Sequence, residues 1–272
     1  MAPERERGTG TDSDSDSDSE YGFEPGCGSE SERPNVHRAF DALADEYDRK
    51  GDEKPANAHL ERPATRSLVP DVDGARVLDA GCGAGHLTRE LVDRGAAVVG
   101  LDASAEMLAY ARERVPEAVL CRADLGRELP FAEGSFDGVV SSLAFHYVRD
   151  WGRLFRNLRR ILEPGGWLVF SMQHPHADFE EYDDTENYHD VERVSAVWDS
   201  FGTAVAVPAY RRPLSAVFSP ALETGFRLER LVEPTPTEAY RRKSPERYEY
   251  ERTHPNFLCL RFSRPESEST DG

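Results

Sequence analysis

Three carboxylates stand at or near the ends of short apolar runs. Asp79 closes Val77-Leu78-Asp79, Asp102 closes Ala97-Val98-Val99-Gly100-Leu101-Asp102, and Asp124 closes a third strand in Val119-Leu120-Cys121-Arg122-Ala123-Asp124-Leu125. Between the first two lies Gly81-Cys82-Gly83-Ala84-Gly85-His86, with glycines at alternate positions before a helix-like run. A buried strand, a tight turn and a helix start make a place for a ligand. Glycine takes positive φ angles and lets a bulky group approach the main chain, and N–H groups at a new helix end are outward donors for a polar, partly negative group. A carboxylate about 20 residues beyond the glycines is where a mononucleotide-binding βαβ unit holds a ribose. Asp102 is therefore the leading candidate.

Spacing separates two nucleotide chemistries. A dinucleotide fingerprint has its third glycine three residues after the second. That position is His86, and the third glycine comes one residue early, at Gly85. This argues against an NAD-dependent oxidoreductase. The elements that must position the acids follow from the hydrophobic pattern. Further strand candidates lie in Ser135 to His146 and Leu158 to Phe170, with Pro164-Gly165-Gly166 as the break before the fifth strand. Five strands, each followed by a helix-length segment, predict an α/β fold with a doubly wound, mostly parallel, Rossmann-like sheet. Leu214 to Thr224 predicts a helix, and Phe226 to Glu233 and Asn256 to Ser263 predict the strands that complete the sheet.

The blocks VLDAGCGAG, VVGLDAS, RADLGRELPFAEGSFDGVVSS and LRRILEPGGWLVFS, in that order and spacing, carry a family resemblance. From Val36 to about Arg264 the chain resembles a class I S-adenosylmethionine-dependent methyltransferase of the methyltransferase-11 type, similar to the quinone-biosynthesis methyltransferases. The resemblance implies seven strands with the last antiparallel, S-adenosyl-L-methionine as cofactor, and methyl transfer; the blocks are nearly silent on the acceptor, for which a small molecule is expected. It assigns Gly81 and Gly83 to the methionine end of the cofactor and Asp79 to its ammonium group, directly or through water. Asp102 and the adjacent Ala103 fall to the ribose, Met107 to the adenine surroundings, Asp124 to the adenine amino group and the Leu125 N–H to a ring nitrogen. The segment Ser141 to Leu143 would pass beside the methionine moiety. Phe40 to Asp48 matches the FDxxAxxYD lid helix, whose Tyr47 lies close to the cofactor; ordinary packing is the competing reading of that tyrosine, and Met107 can also be core.

Methyl transfer needs approach, alignment and water exclusion more than a fixed acid or base. An oxygen or nitrogen acceptor still gains from a base, and histidine titrates near neutrality. His146, after the fourth strand, and His174, after the fifth, are the candidates, against a reading of both as structural. His176, His189 and nearby acids match no compact metal motif, so no metal is expected. The rival function is a catalytically silent S-adenosylmethionine-binding regulator or scaffold.

The 272 residues favour one large domain. Four scattered cysteines without a CxxC pair argue against disulfides and zinc. No apolar window is long enough to span a membrane and the first residues lack an apolar signal core, so a cytoplasmic protein is expected. Residues 1–34, with Thr11-Asp12-Ser13-Asp14-Ser15-Asp16-Ser17-Asp18-Ser19-Glu20, predict a disordered acidic tail, and 265–272 a second frayed tail. The methyltransferase domain then spans 35–264. Val36 to Asp48 has the spacing of an amphipathic helix, Asn57 to Val69 reads as a second helix interrupted at Pro63, and Ser104 is a plausible N-cap of a helix to Val115. Lid elements are expected at about 36–69 and in the irregular insertion at 174–212, which falls on the carboxyl edge of the sheet, where ligands bind. The pairs Arg159-Arg160, Arg211-Arg212 and Arg241-Arg242 read as solvated or helix-end charges.

The net charge is −18, and only three of the 33 basic residues are lysine. Such a surface disfavours nucleic acid as a partner. It also suggests adaptation to high salt, where counter-ions screen self-repulsion. Melting temperature is then expected to rise as KCl is raised from near zero to molar levels. Equal or greater stability at low salt contradicts this.

Overall fold

In the computed structural model the described residues are 36–50, 54–182, 185–198 and 204–266. The predicted tail 1–34 lies outside them, and so does the tail 265–272 except for residues 265 and 266. Seven strands form one sheet: β1 (Arg76–Ala80), β2 (Ala97–Asp102), β3 (Val119–Arg122), β4 (Phe136–Ser141), β5 (Leu162–Gln173), β8 (Arg227–Val232) and β9 (Phe257–Ser263). Their order is β3-β2-β1-β4-β5-β9-β8. The first five are parallel neighbours, and β9 runs antiparallel to both β5 and β8. The remaining strands, β6 (Glu192–Trp198) and β7 (Val205–Arg211), make a separate antiparallel hairpin.

Alternation along β1 divides the core. Leu78 and Ala80 join the larger apolar cluster with α5 (Trp151–Ile161), α7 (Leu214–Glu223), Phe170 and Phe262. Val77 joins the cluster on the other face, built with α2 (Arg62–Leu68) and Leu91 of α3 (His86–Asp93). Successive side chains of a strand point to opposite faces, so a strand buried on both sides is apolar throughout. Asp79 is the exception, on the α3 face, and a partner there satisfies it. The order reverses between β1 and β4, and a cavity opens above the carboxyl ends of the strands at that point.

Several local expectations change. Pro164-Gly165-Gly166 is no break: β5 already begins at Leu162, and the extra residues form an irregularity as pairing with β4 shifts from Phe136↔Leu162 to Gly138↔Trp167. No helix joins β3 to β4. Pro63 does not interrupt its helix. It sits in the first turn of α2, where a missing N–H costs nothing, directly after a π-helical turn at Asn57–Glu61. Among its described residues the insertion contains α6 (Pro175–Glu181) and the β6–β7 hairpin. Arg211 and Arg212 are fully buried rather than solvated. Arg211 pairs with Glu192, and Arg212 donates to the Val148 carbonyl at 2.7 Å while lying 4.0 Å from the centre of the Trp151 ring. The short helices α8 (Glu238–Lys243) and α9 (Pro245–Glu251) add a layer that the polar 234–255 stretch did not advertise.

Two polar devices seat the N-terminal layer. On α1 (Val36–Lys50), Asp41, Asp45 and Asp48 share one face and meet α4 (Ala105–Arg114) and its cap: Asp41 accepts from the Ser104 hydroxyl at 2.6 Å, Asp45 from Tyr110, and Asp48 from Arg114 at 2.7 Å. Ser104 also caps α4 by accepting the Met107 N–H. Glu61, at the end of the π turn, is fully buried. Its Oε1 accepts from Thr65 at 2.7 Å, from Ser142 at 3.0 Å and from Ser171. One oxygen thus binds a helix to the ends of β4 and β5. Glu61→Ala strands three hydroxyls and is expected to lower stability by about 2–4 kcal/mol, whereas Glu61→Gln, which keeps an acceptor, loses much less. Urea denaturation measures both, and equal losses would contradict the assignment.

Candidate active site

The glycine turn is shaped by the space it leaves. Gly81, Gly83 and Gly85 all have positive φ. A Cβ on Gly81 would lie 2.4 Å from the Ala144 Cβ, whereas one on Gly83 would meet nothing within 4 Å, because that position faces the cavity. The turn's donors are largely used within the protein, contrary to the expectation that they await a ligand. The N–H groups of Gly81 and Cys82 both reach the Leu101 carbonyl, at 2.7 and 2.9 Å, and Gly85 reaches Cys82 at 2.9 Å. The Gly83 N–H goes to Asp102 Oδ2 at 2.9 Å. The turn therefore offers close approach more than hydrogen bonds.

Asp102 ends β2 with both oxygens anchored. Its Oδ1 accepts the Ser104 N–H at 2.9 Å. Burial raises its pKa, and the N–H groups of Ser104, Gly83 and Ala103 oppose that shift. Each carboxylate oxygen accepts more than one hydrogen bond, so a diol can still be bound. Asp124 lies two residues beyond β3 rather than closing it, because pairing with β2 ends at Arg122. Its Oδ1 accepts the Gly126 N–H at 2.8 Å, and its Oδ2 lies 3.6 Å from His37 Nε2.

A cavity of about 730 Å³, counting its open mouth, gathers Tyr47, Gly81, Gly83, Asp102, Ala103, Met107, Asp124 and Leu125. Asp79 is the one sequence-predicted cofactor residue that does not line it. It is 1% exposed and accepts from the Thr88 hydroxyl at 2.6 Å. Burial pushes its pKa up to about 7, with the Thr88 hydrogen bond opposing and the Asp102 charge adding. Asp79 supports the turn from behind.

A second cavity, of about 810 Å³, shares Phe40, Tyr47, Leu143 and Tyr147 with the first. The Phe40 ring meets those of Tyr47, Tyr147 and Trp198 edge-on at 5.2–6.0 Å, and Tyr47 stacks on Trp198 at 6.4 Å. Tyr47 thus packs and lines the site at once. Leu143 is the only non-glycine among the described residues with positive φ, at 51°. Its N–H is held by the Ser171 hydroxyl at 3.1 Å, which itself donates to Glu61. The strained residue stands at the partition between the cavities.

The two histidines part company. His146 lines the second cavity with its Nδ1 buried and without a hydrogen-bond partner. Burial, and then Arg212, pull its pKa down to about 3, so the ring is neutral at physiological pH and a weak base. His174 lines neither cavity. It caps α6, its Nδ1 accepting the His176 N–H at 3.1 Å while its Nε2 lies 3.0 Å from Glu233. It stands at a helix start rather than on either cavity wall.

Comparison with known proteins agrees with this architecture. Residues 78–170 match a family profile described as Methyltransferase domain. A crystal structure of an S-adenosylmethionine-dependent methyltransferase from Mesorhizobium loti superposes with a TM-score of 0.62 at 34% identity, covering 75% of this chain and 97% of that one. The chain belongs to the S-adenosylmethionine-dependent methyltransferases. Curated relatives include a malonyl-[acyl-carrier protein] O-methyltransferase of Pectobacterium atrosepticum, 37% identical over 50% of this chain and 52% of its own length. A demethylmenaquinone methyltransferase of Listeria welshimeri is 33% identical over 52% and 63% respectively. The chain therefore spans between half and two thirds of these two relatives.

The cofactor of this family is a sulfonium cation, and the first cavity suits it. Two carboxylates reach it, and the rings of Phe40, Tyr47 and Tyr147 offer faces that attract cations. Sequence reasoning missed His37, Tyr147 and Glu61, and it named Leu143 only as the end of a passing segment, without its left-handed backbone. Only Tyr147, in the aromatic run after the fourth strand, left a visible signal. Asp102→Ala is expected to weaken S-adenosylmethionine binding about 10- to 100-fold, since a hydrogen bond to a charged group contributes about 1.5–3 kcal/mol. Asp79→Asn, behind the turn, should change it only a few-fold. Titration calorimetry gives both values; the reverse order would contradict the placement of the two acids.

Proposed function

We propose that the protein transfers the methyl group of S-adenosylmethionine to a small-molecule acceptor seated in the second cavity. The observation that carries this reading is the shared wall: Phe40, Tyr47, Leu143 and Tyr147 border both cavities, so donor and acceptor can meet without crossing bulk solvent. Ribose hydroxyls would bind Asp102, the adenine would lie between Met107, Asp124 and Leu125, and the methionine end would pass over Gly81 and Gly83. The acceptor's lone pair attacks the methyl carbon while the carbon–sulfur bond breaks, and the electron pair stays on sulfur. The acceptor's proton leaves to solvent, since the buried His146 is too weak a base to hold it at neutral pH. Rings above and the glycine turn below supply alignment and exclude water, which is most of what such a displacement requires.

The segments 36–69 and 174–212 serve as the cover in this reading, α1 over the cofactor and the β6–β7 hairpin over the acceptor. Val207 of the hairpin packs with Ala39 and Leu43 of α1, which makes the two one roof. Incubation with methyl-labelled cofactor and a metabolite extract is expected to put label into the low-mass fraction with the native protein, and far less with Asp102→Ala. Cofactor binding without any transfer would instead support a silent binder, and label confined to macromolecules would overturn the small-molecule acceptor.

A further inference from the structure

The charged and the uncharged side chains of the second cavity are held differently. The Lys54 ammonium lies 4.7 Å from the centre of the Trp198 ring, and Arg247 Nε lies 3.2 Å from Oε1 of the buried Glu251. Both cations make further contacts within the protein. Glu181, the one carboxylate among the lining residues, ends α6 with its side chain exposed and the charge of Arg247 acting on it. The protein itself answers the charges of this wall.

Four uncharged side chains stand apart from that pattern. His146, Tyr147, Gln173 and Asn256 line the cavity, and among the described residues no hydrogen bond engages any of these four side chains. Gln173 ends β5, and Asn256 directly precedes β9, which pairs with β5 through Gln173↔Phe257, so the topology brings both carboxamides to one end of the sheet. The His146 ring lies 4.1 Å from that of Tyr147, centre to centre, and Tyr147 borders both cavities. That pair therefore stands beside the partition that the methyl group must cross.

The chemistry of the four is of one kind. A carboxamide, a phenol and a neutral imidazole can each both donate and accept a hydrogen bond, and a polar group kept from bulk water needs a partner. An anion would use donors alone and a cation acceptors alone, whereas groups that do both match hydroxyls and carbonyls. Phe40, Trp198 and Phe257, with Ala196 and Val207, make the rest of the wall apolar. Building on the acceptor reading above, we propose that the acceptor is an uncharged molecule with an apolar body and at least two hydroxyl or carbonyl groups. His146 and Tyr147 position the group nearest the methyl donor, and Gln173 and Asn256 select for a second one. The acceptor's proton goes to water as the methyl group arrives, so the product is uncharged as well. A compound lacking the polar groups leaves these side chains unpaired, which a site rejects far more strongly than a missing methylene.

The test uses the full-length protein, methyl-labelled S-adenosylmethionine and a metabolite extract of its own cells. Low-mass products are passed in turn over anion- and cation-exchange resins at neutral pH, with boiled protein as the control for unreacted cofactor. The expected result is label above control in the fraction that neither resin retains. Gln173→Leu and His146→Phe should each lower that label at least tenfold in dilute extract, with calorimetric cofactor affinity and melting temperature kept. The loss in Gln173→Leu should shrink as the extract is concentrated, the mark of weakened acceptor binding that mere structural damage does not give. Product label retained on either resin, with none passing both, overturns the uncharged acceptor while leaving methyl transfer intact. Label that passes both resins undiminished in the two variants, or a Gln173→Leu loss equal at every extract concentration, overturns the assigned contacts. Absence of any labelled small molecule removes the acceptor reading itself, and this inference with it.

Discussion

The site depends on one carboxylate bridging two backbone turns. Asp102 takes the Gly83 N–H on one oxygen and the Ser104 N–H on the other, so the glycine turn after β1 and the cap of α4 are fixed to the end of β2 at once. Leu101, one residue earlier, collects the Gly81 and Cys82 N–H groups through its carbonyl. Backbone groups that would otherwise need ligand or water are satisfied by the neighbouring strand. What remains is a preformed hollow with an acid on its rim. The cost is a buried carboxylate whose pKa is raised, with Asp79 behind it raised as well, to about 7. Two buried acids close enough to perturb one another make a place that a cation stabilises, which fits a sulfonium cofactor carrying an ammonium group.

The same economy governs the cover. The acids on one face of α1 bind α4 and its cap, and Glu61 ties the π turn to Ser142 and Ser171. Both connections end at residues bordering the hollow: Ser104 and Met107 in one case, Ser142 and Leu143 in the other. The N-terminal layer and the wall of the first cavity are thus bonded into one unit. A π turn ending on such a residue matches the tendency of these irregularities to occur at functional positions. Leu143 keeps its left-handed backbone because the Ser171 hydroxyl holds its N–H and Glu61 in turn orients that hydroxyl.

Much of this was legible in the amino-acid order. Apolar runs ending in acids located the parallel strands, glycines at alternate positions located the turn, and Ser104 announced a cap that the structure contains. What stayed hidden depends on contacts distant in sequence. Nothing local tells that Arg211 and Arg212 are buried, since a basic pair looks the same whether solvated or paired with Glu192 and stacked on Trp151. His174 carries the same signal as His146, but one is a helix cap and the other faces a cavity. Asp79 sits in the family block yet faces Thr88, because strand alternation turns it to the α3 side. The left-handed conformation of Leu143 has no sequence signature at all, since a leucine does not favour it.

The central claim is that the hollow above the β1–β4 reversal holds the cofactor with its ribose on Asp102 and its sulfur toward Leu143 and Tyr147. A crystal structure with S-adenosylhomocysteine tests it most directly. The account predicts both ribose hydroxyls within hydrogen-bond distance of the Asp102 carboxylate and the sulfur facing the second cavity. A nucleoside bound elsewhere, or an Asp102 carboxylate turned away from it, would contradict the account.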